Sequence, residues 1–138
     1  MVLAIFMFAC KTPQDMTKKP VANAPLTGTH WTLRSVQGME KVTAMREAFI
    51  VLDAEKSAAY GSSGCNRMTG SYTLNGKSLK FGPMAGTRMA CDEASMKLEQ
   101  ALYTALGAVD GYTLKGDELH LLQGEKVLAS FQAGTPEK

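Results

Sequence analysis

A chain of 138 residues is one domain's worth of polypeptide, long enough to bury a core without covalent help. Its apolar share of 45% and charged share of 20% are those of an ordinary globular protein, and the net charge of +2 gives no footing for nucleic acid or an acidic surface as partner. No apolar stretch approaches the roughly 18 residues that a membrane-spanning helix needs.

The first ten residues, MVLAIFMFAC, are wholly apolar and end in Ala-Cys. The chain then turns to KTPQDMTKKPVANAPLTG, with prolines at 13, 20 and 25 and no periodicity, which reads as a flexible linker over 11–26. An apolar stretch, a small residue, a cysteine and a polar tether together resemble the lipobox of a bacterial lipoprotein, with Cys10 as the acylated residue. A secretory signal carries a positive n-region ahead of its apolar core, and none precedes this one. Residues 1–10 are therefore expected to be the end of a signal that begins further upstream. If Cys10 carries lipid, Cys65 and Cys91 are left as the only cysteines of the mature globule, in a compartment where disulfides persist.

Patterning begins near Thr27. HWTLRSV alternates, with Trp31, Leu33 and Ser35 on one side, and predicts a strand that Gly38 breaks. EKVTAMREAF shows no clear period and reads as loop. A buried strand follows in AFIVLDAEK, ending near Asp53, and SAAYGSSGCN predicts a short strand running into a Gly/Ser turn. Asn75-Gly76 is a preferred dipeptide for a tight hairpin turn; Tyr72 and Leu74 precede it, Leu79 and Phe81 follow, and Gly82-Pro83 ends the hairpin. CDEASMKLEQALYTALGAV predicts a helix with Leu98, Leu102, Ala105, Leu106 and Val109 as its apolar stripe, Asp92 as N-cap, Glu93 in the first turn and Gly107 or Gly111 at its end. The remainder, GYTLKGDELHLLQGEKVLASFQA, is a three-stranded meander with turns at KGDE and QGEK, and 134–138 form a polar tail. Strands, one helix and strands again predict a mainly β (α+β) domain over 27–133. It would be a small antiparallel sheet or partial barrel with one amphipathic helix packed on it.

The chemistry of the two cysteines is open at this level. Zinc sites use closely paired ligands, and Cys65, Cys91, His30 and His120 are scattered, so no metal is expected. A catalytic thiol needs a base and a lowered pKa; Cys91, just before the helix and near Arg88, is the best candidate for a thiol enzyme, but no partner base is visible. Redox pairs favour Cys-x-x-Cys. The separation of 26 suits instead a structural disulfide joining the loop before the hairpin to the start of the helix. GSSGCNRMTG lacks phosphate-loop spacing, and Met84 and Met89 read as core filler rather than a copper site. No catalytic residue and no cofactor are expected.

Cys65-Asn66-Arg67 followed by Gly70 and Leu79, then Thr87-Arg88-Met89-Ala90-Cys91 with Glu99 in the next helix, resembles the META domain of HslJ-like heat-shock proteins. Trp31 with Gly38, Leu119-x-Leu121 and Leu128-x-x-Phe131 fit the same pattern, over 27–133. The resemblance implies a small antiparallel β domain with a helix, carried by bacterial envelope lipoproteins linked to heat shock and novobiocin resistance. It supplies no catalytic residue. Asn66, Arg67, Thr87 and Arg88 match its motif. They are expected either to be structural, with Asn66 satisfying a turn and Arg88 paired to Glu99, or to form a binding cluster. The expected protein is a non-enzymatic, monomeric lipoprotein that binds an envelope protein or ligand. Lys11 after the cysteine favours the periplasmic side of the outer membrane by analogy with lipoprotein sorting. A hydrolase inhibitor using GSSGCNRMTG as an inserting loop is the alternative.

Overall fold

The computed structural model describes residues 23–39 and 41–134. The lipidation site expected at Cys10, most of the 11–26 linker and nearly all of the polar tail lie outside the described residues. The strands are β1 (His30–Val36), β2 (Ala48–Asp53), β3 (Ala58–Ser63), β4 (Arg67–Asn75), β5 (Ser78–Phe81) and β6 (Ala85–Gly86). After them come α1 (Glu93–Ala108), β7 (Gly111–Lys115), β8 (Glu118–Gln123) and β9 (Lys126–Gly134).

All pairings are antiparallel. The ring runs β1–β2–β3–β4–β5–β7–β8–β9 and returns to β1, so the expected partial barrel is a closed barrel of eight strands, with β6 added beside β4. Two pairings close it. β4 is long enough to pair with β3 through Arg67–Ser71 and with β5 through Tyr72–Asn75, and β9 meets β1 across almost the whole chain. Closure gives each of the eight ring strands a neighbour on both sides, and β6 alone is left at an edge among the described strands. The thinnest seam is β5 to β7, where Ser78 opposite Gly111 is the only paired position. Two bonds flank it, from Leu79 N–H to Asp110 O (3.2 Å) and from Tyr112 N–H to Lys77 O (3.3 Å).

Alternation sends Trp31, Leu33, Ile50, Leu52, Leu119, Leu121 and Phe131 into the core, all of them almost wholly buried. Two bulges refine the sequence reading. The register shifts between Leu33 and Ser35, so Ser35 pairs outside with Ser130 and Val36 takes the buried place. A second shift near Leu121 buries both Leu128 and Ala129 and leaves Val127 exposed. Each short hairpin uses a glycine as the first central turn residue: Asn75 pairs with Ser78, Lys115 with Glu118 and Gln123 with Lys126. Gly76, Gly116 and Gly124 have φ of 60°, 62° and 60°. The turn at 75–78 therefore centres on Gly76-Lys77, one residue beyond the expected Asn75-Gly76, and has the single positive φ of a II′ turn.

The fold reaches into the stretch assigned to the linker. Ala24 and Leu26 are buried, Ala24 N–H donates to Gly116 O (3.2 Å), and Leu26 O accepts from Trp31 Nε1 (3.0 Å). At that end of the barrel His30 lies opposite Gly134, so β1 enters beside the place where β9 leaves.

α1 touches β1, β3, β5 and β9, strands from several sides of the ring, and so lies across the other end. Its stripe of Leu98, Leu102, Ala105 and Leu106 closes the core there. Asp92 caps it as the sequence indicates, accepting from Ser95 N–H (3.1 Å), and the helix runs through Gly107 to Ala108. Ser95 is buried and satisfied: its hydroxyl donates to Asp92 Oδ1 (2.5 Å) and accepts from Met45 N–H (2.9 Å). This bond ties the segment before β2 to the helix start.

Candidate functional site

Ser63, the last residue of β3, organises the turn to β4. Its hydroxyl oxygen accepts from the N–H groups of Cys65 (3.3 Å) and Asn66 (3.0 Å), while its hydrogen points to Glu99 Oε1 on α1 (2.9 Å). Ser hydroxyls commonly satisfy backbone donors two and three residues on. The turn is buried: Cys65 and Asn66 are each 2% exposed.

Asn66 then uses both ends of its amide. Nδ2 donates to Glu99 Oε1 (2.9 Å) and Met89 O (3.2 Å), and it also lies 3.3 Å from Cys65 Sγ. Oδ1 accepts from Met89 N–H (2.8 Å) and the Thr87 hydroxyl (3.1 Å). Thr87 Oγ1 accepts in turn from Arg67 N–H (3.1 Å). Asn66 thus substitutes for a backbone partner and holds the 87–89 segment as a strand would. The structure also joins Cys65 to Cys91, with Cα atoms 6.0 Å apart, at the residue before the helix cap. So joined, Cys91 has no free thiol to serve as a nucleophile.

The pinned segment and α1 form the two walls of a groove of about 710 Å³. Arg88 and Met89 stand on the first wall; Met96, Glu99 and Tyr103 rise from the helix at three- and four-residue steps, which places them on one face. Gly86 lets the walls approach, because a Cβ there would meet Arg67 O and come 3.2 Å from the Tyr103 hydroxyl. Burial pushes the Tyr103 phenol above its usual range; the Glu99 charge adds to the rise and the Arg88 guanidinium opposes it.

The motif residues therefore divide. Asn66 and Thr87 are consumed in the network, whereas Arg67 and Arg88 are exposed on its outer side and make no ion pair within the described residues. The expected Arg88–Glu99 pair does not form, because Glu99 turns inward to Asn66 and Ser63. Met84 packs against the core, but Met89 is 47% exposed and is not core filler. The sequence reading missed Ser63 and Tyr103, although the spacing of Met96, Glu99 and Tyr103 was present as a second, more polar stripe on the helix. No three His, Cys, Asp or Glu side chains converge as metal ligands among the described residues.

A smaller cluster lies on β1. Glu47 Oε1 accepts from Thr32 Oγ1 (2.6 Å) and faces His30 Nε2 (2.9 Å), and the His30 ring stacks on Phe49. The Thr32 hydrogen bond is the largest influence on Glu47 and, against partial burial, lowers its carboxyl below the usual range; His30 and Arg34 act in the same direction.

Residues 24–135 match the META domain family. The chain is a META-domain protein. The META domain resembles an NMR structure of a protein from Burkholderia xenovorans at 28% identity and a TM-score of 0.64, over 91% of this chain and 100% of that one. A second NMR structure is 25% identical with a TM-score of 0.62, over 78% of this chain and 91% of that one. No curated protein matches the chain.

Proposed function

We propose that this META-domain protein is a non-enzymatic binding module of the bacterial envelope. In this reading it is lipid-anchored through Cys10, held off the membrane by the linker, and acts in stress response or tolerance of novobiocin-type antibiotics. The observation that carries the binding reading is the division of labour at the motif. Asn66, Thr87 and the Cys65–Cys91 bridge fix one wall of an open groove, and Arg88 and Tyr103 face it without a partner among the described residues. Such a wall is rigid before a ligand arrives, which lowers the entropy cost of binding.

Two experiments test the reading. Fatty-acid labelling of the protein expressed with a complete signal should mark the wild type and not Cys10→Ser; unlabelled wild-type protein would remove the anchor. In a deletion strain, wild type should restore novobiocin tolerance and the folded groove variant Arg88→Ala/Met89→Ala should not. Full rescue by that variant would remove the groove from the function. The hydrolase-inhibitor alternative has less support, because Ser63, Cys65 and Asn66 of its inserting loop are buried in a tight turn.

A further inference from the structure

The groove has an unusual wall. Among the described residues β6 has a strand neighbour, β4, on one side only, and its other edge faces α1 across the groove. Thr87 N–H donates to Arg67 O, and in an antiparallel ladder successive residues turn their N–H and C=O groups to opposite sides. The backbone groups of Gly86 are thus directed to the side away from β4. An unpaired strand edge is a template for another strand.

The other features around this edge select what would lie on it. The Tyr103 hydroxyl and the Arg88 guanidinium line the same groove, and neither has a hydrogen-bond or ion-pair partner within the described residues. An arginine and a hydroxyl together suit a carboxylate. Met89 and Met96, 47% and 40% exposed, offer adaptable apolar contact on either side. Glu99 also lines the groove, but Asn66 and Ser63 hold one of its oxygens, and its charge opposes an anionic guest. The volume falls within the range of about 300–1,000 Å³ typical of ligand sites.

We infer that the groove receives an extended segment of a partner protein as an added strand on β6, with one side-chain carboxylate held by Arg88 and Tyr103 and apolar neighbours packed on Met89 and Met96. This deepens the binding-module reading and rests on it. Backbone pairing supplies affinity, and the Arg88–Tyr103 pair selects segments carrying an acidic residue between apolar ones.

The test uses the oxidised full chain, labelled with ¹⁵N, and a blocked pentapeptide of sequence Val-Leu-Glu-Leu-Val. The peptide should shift the amide resonances of Gly86, Arg88 and Tyr103 saturably. Replacing its Glu by Gln should weaken binding at least tenfold, and N-methylation of its two leucine amides should abolish it. Arg88→Gln and Tyr103→Phe should weaken the Glu peptide and leave the Gln peptide unchanged, while Glu99→Gln, which keeps the acceptor for Asn66, should tighten it several-fold. Equal affinity for the Glu and Gln peptides would overturn the carboxylate assignment. Butyrate binding as tightly as the peptide, or retained affinity after N-methylation, would overturn strand addition. The absence of any saturable shift would overturn the whole inference. If the groove variant also fails to restore tolerance in cells, the binding-module reading then survives without it.

Discussion

One amide side chain, Asn66, carries more of the site than any other. It is 2% exposed and joins the β3–β4 turn, the 87–89 segment and α1. Removing it leaves the Met89 N–H without its acceptor, takes one of two donors from Glu99 and opens a gap in a buried turn. Asn66→Ala is therefore expected to cost about 2–3 kcal/mol, at the upper end for unsatisfied buried groups, read as a lower urea midpoint with unchanged slope. Asn66→Asp should also be destabilised at neutral pH, where two carboxylates would face each other, and should regain stability as acid protonates one of them. Glu47 gives the opposite sign. Its folded-state pKa is depressed, so it stabilises the fold above its ordinary value of 4.5, and that contribution disappears as pH falls through the lowered one. Thr32→Val removes the largest cause. The stability gap between wild type and this variant should be full at pH 7 and shrink steadily below pH about 4.5, as chemical denaturation across that range would show. A backbone-pairing role for Asn66 was legible from its type, although Ser63 satisfies the turn and Asn66 serves Met89 instead. Its partners were not, because Met89 and Glu99 lie 23 and 33 residues away and only the closed fold brings them to it.

At the level of elements, the sequence was most informative where physics is local. The helix, its Asp92 cap and all three short hairpins follow from periodicity and turn residues. The one-residue displacement at Gly76 shows the limit: Asn-Gly satisfies a I′ turn by type, but the pairing of Asn75 with Ser78 selects a II′ turn. Two glycines make the rule testable with opposite signs. Gly116→Ala places a side chain at φ 62° and should cost about 1–2 kcal/mol. Gly107→Ala lies in α1 with no atom within 4 Å of the new Cβ and should gain about 0.5 kcal/mol. Thermal unfolding of the pair decides it. The disulfide closes a 26-residue separation, which by chain entropy stabilises by about 3.5 kcal/mol. Cys65→Ala/Cys91→Ala should lower stability by an amount of that order while Asn66 keeps the loop in place, so tyrosine fluorescence near Tyr103 should change little.

For the whole molecule the closed ring matters more than any single hairpin. Alternation tells which face of a strand is buried but not which strand it meets, so the β1–β9 pairing and the step from a partial to a complete barrel were beyond a reading of local patterns. Closure also has a weakest point. With one paired position and two flanking bonds, the β5–β7 seam should open before the ladders around it. Hydrogen exchange should find the amides of Leu79 and Tyr112 exchanging by local opening, well before those paired in the β1–β9 ladder. Uniform exchange through global unfolding would show instead that the helix across the barrel end locks the seam.

The opposition of His30 and Gly134 gives the molecule a polarity. The start of β1 and the end of β9 lie side by side at one pole, and α1 with its groove occupies the other. A contact made at the His30–Gly134 pole would therefore leave the groove uncovered at the opposite one. The same adjacency would allow His30 and Gly134 to be joined by a short bridge and the ring reopened at the Gly116-Asp117 turn, giving a circular permutant with its groove untouched.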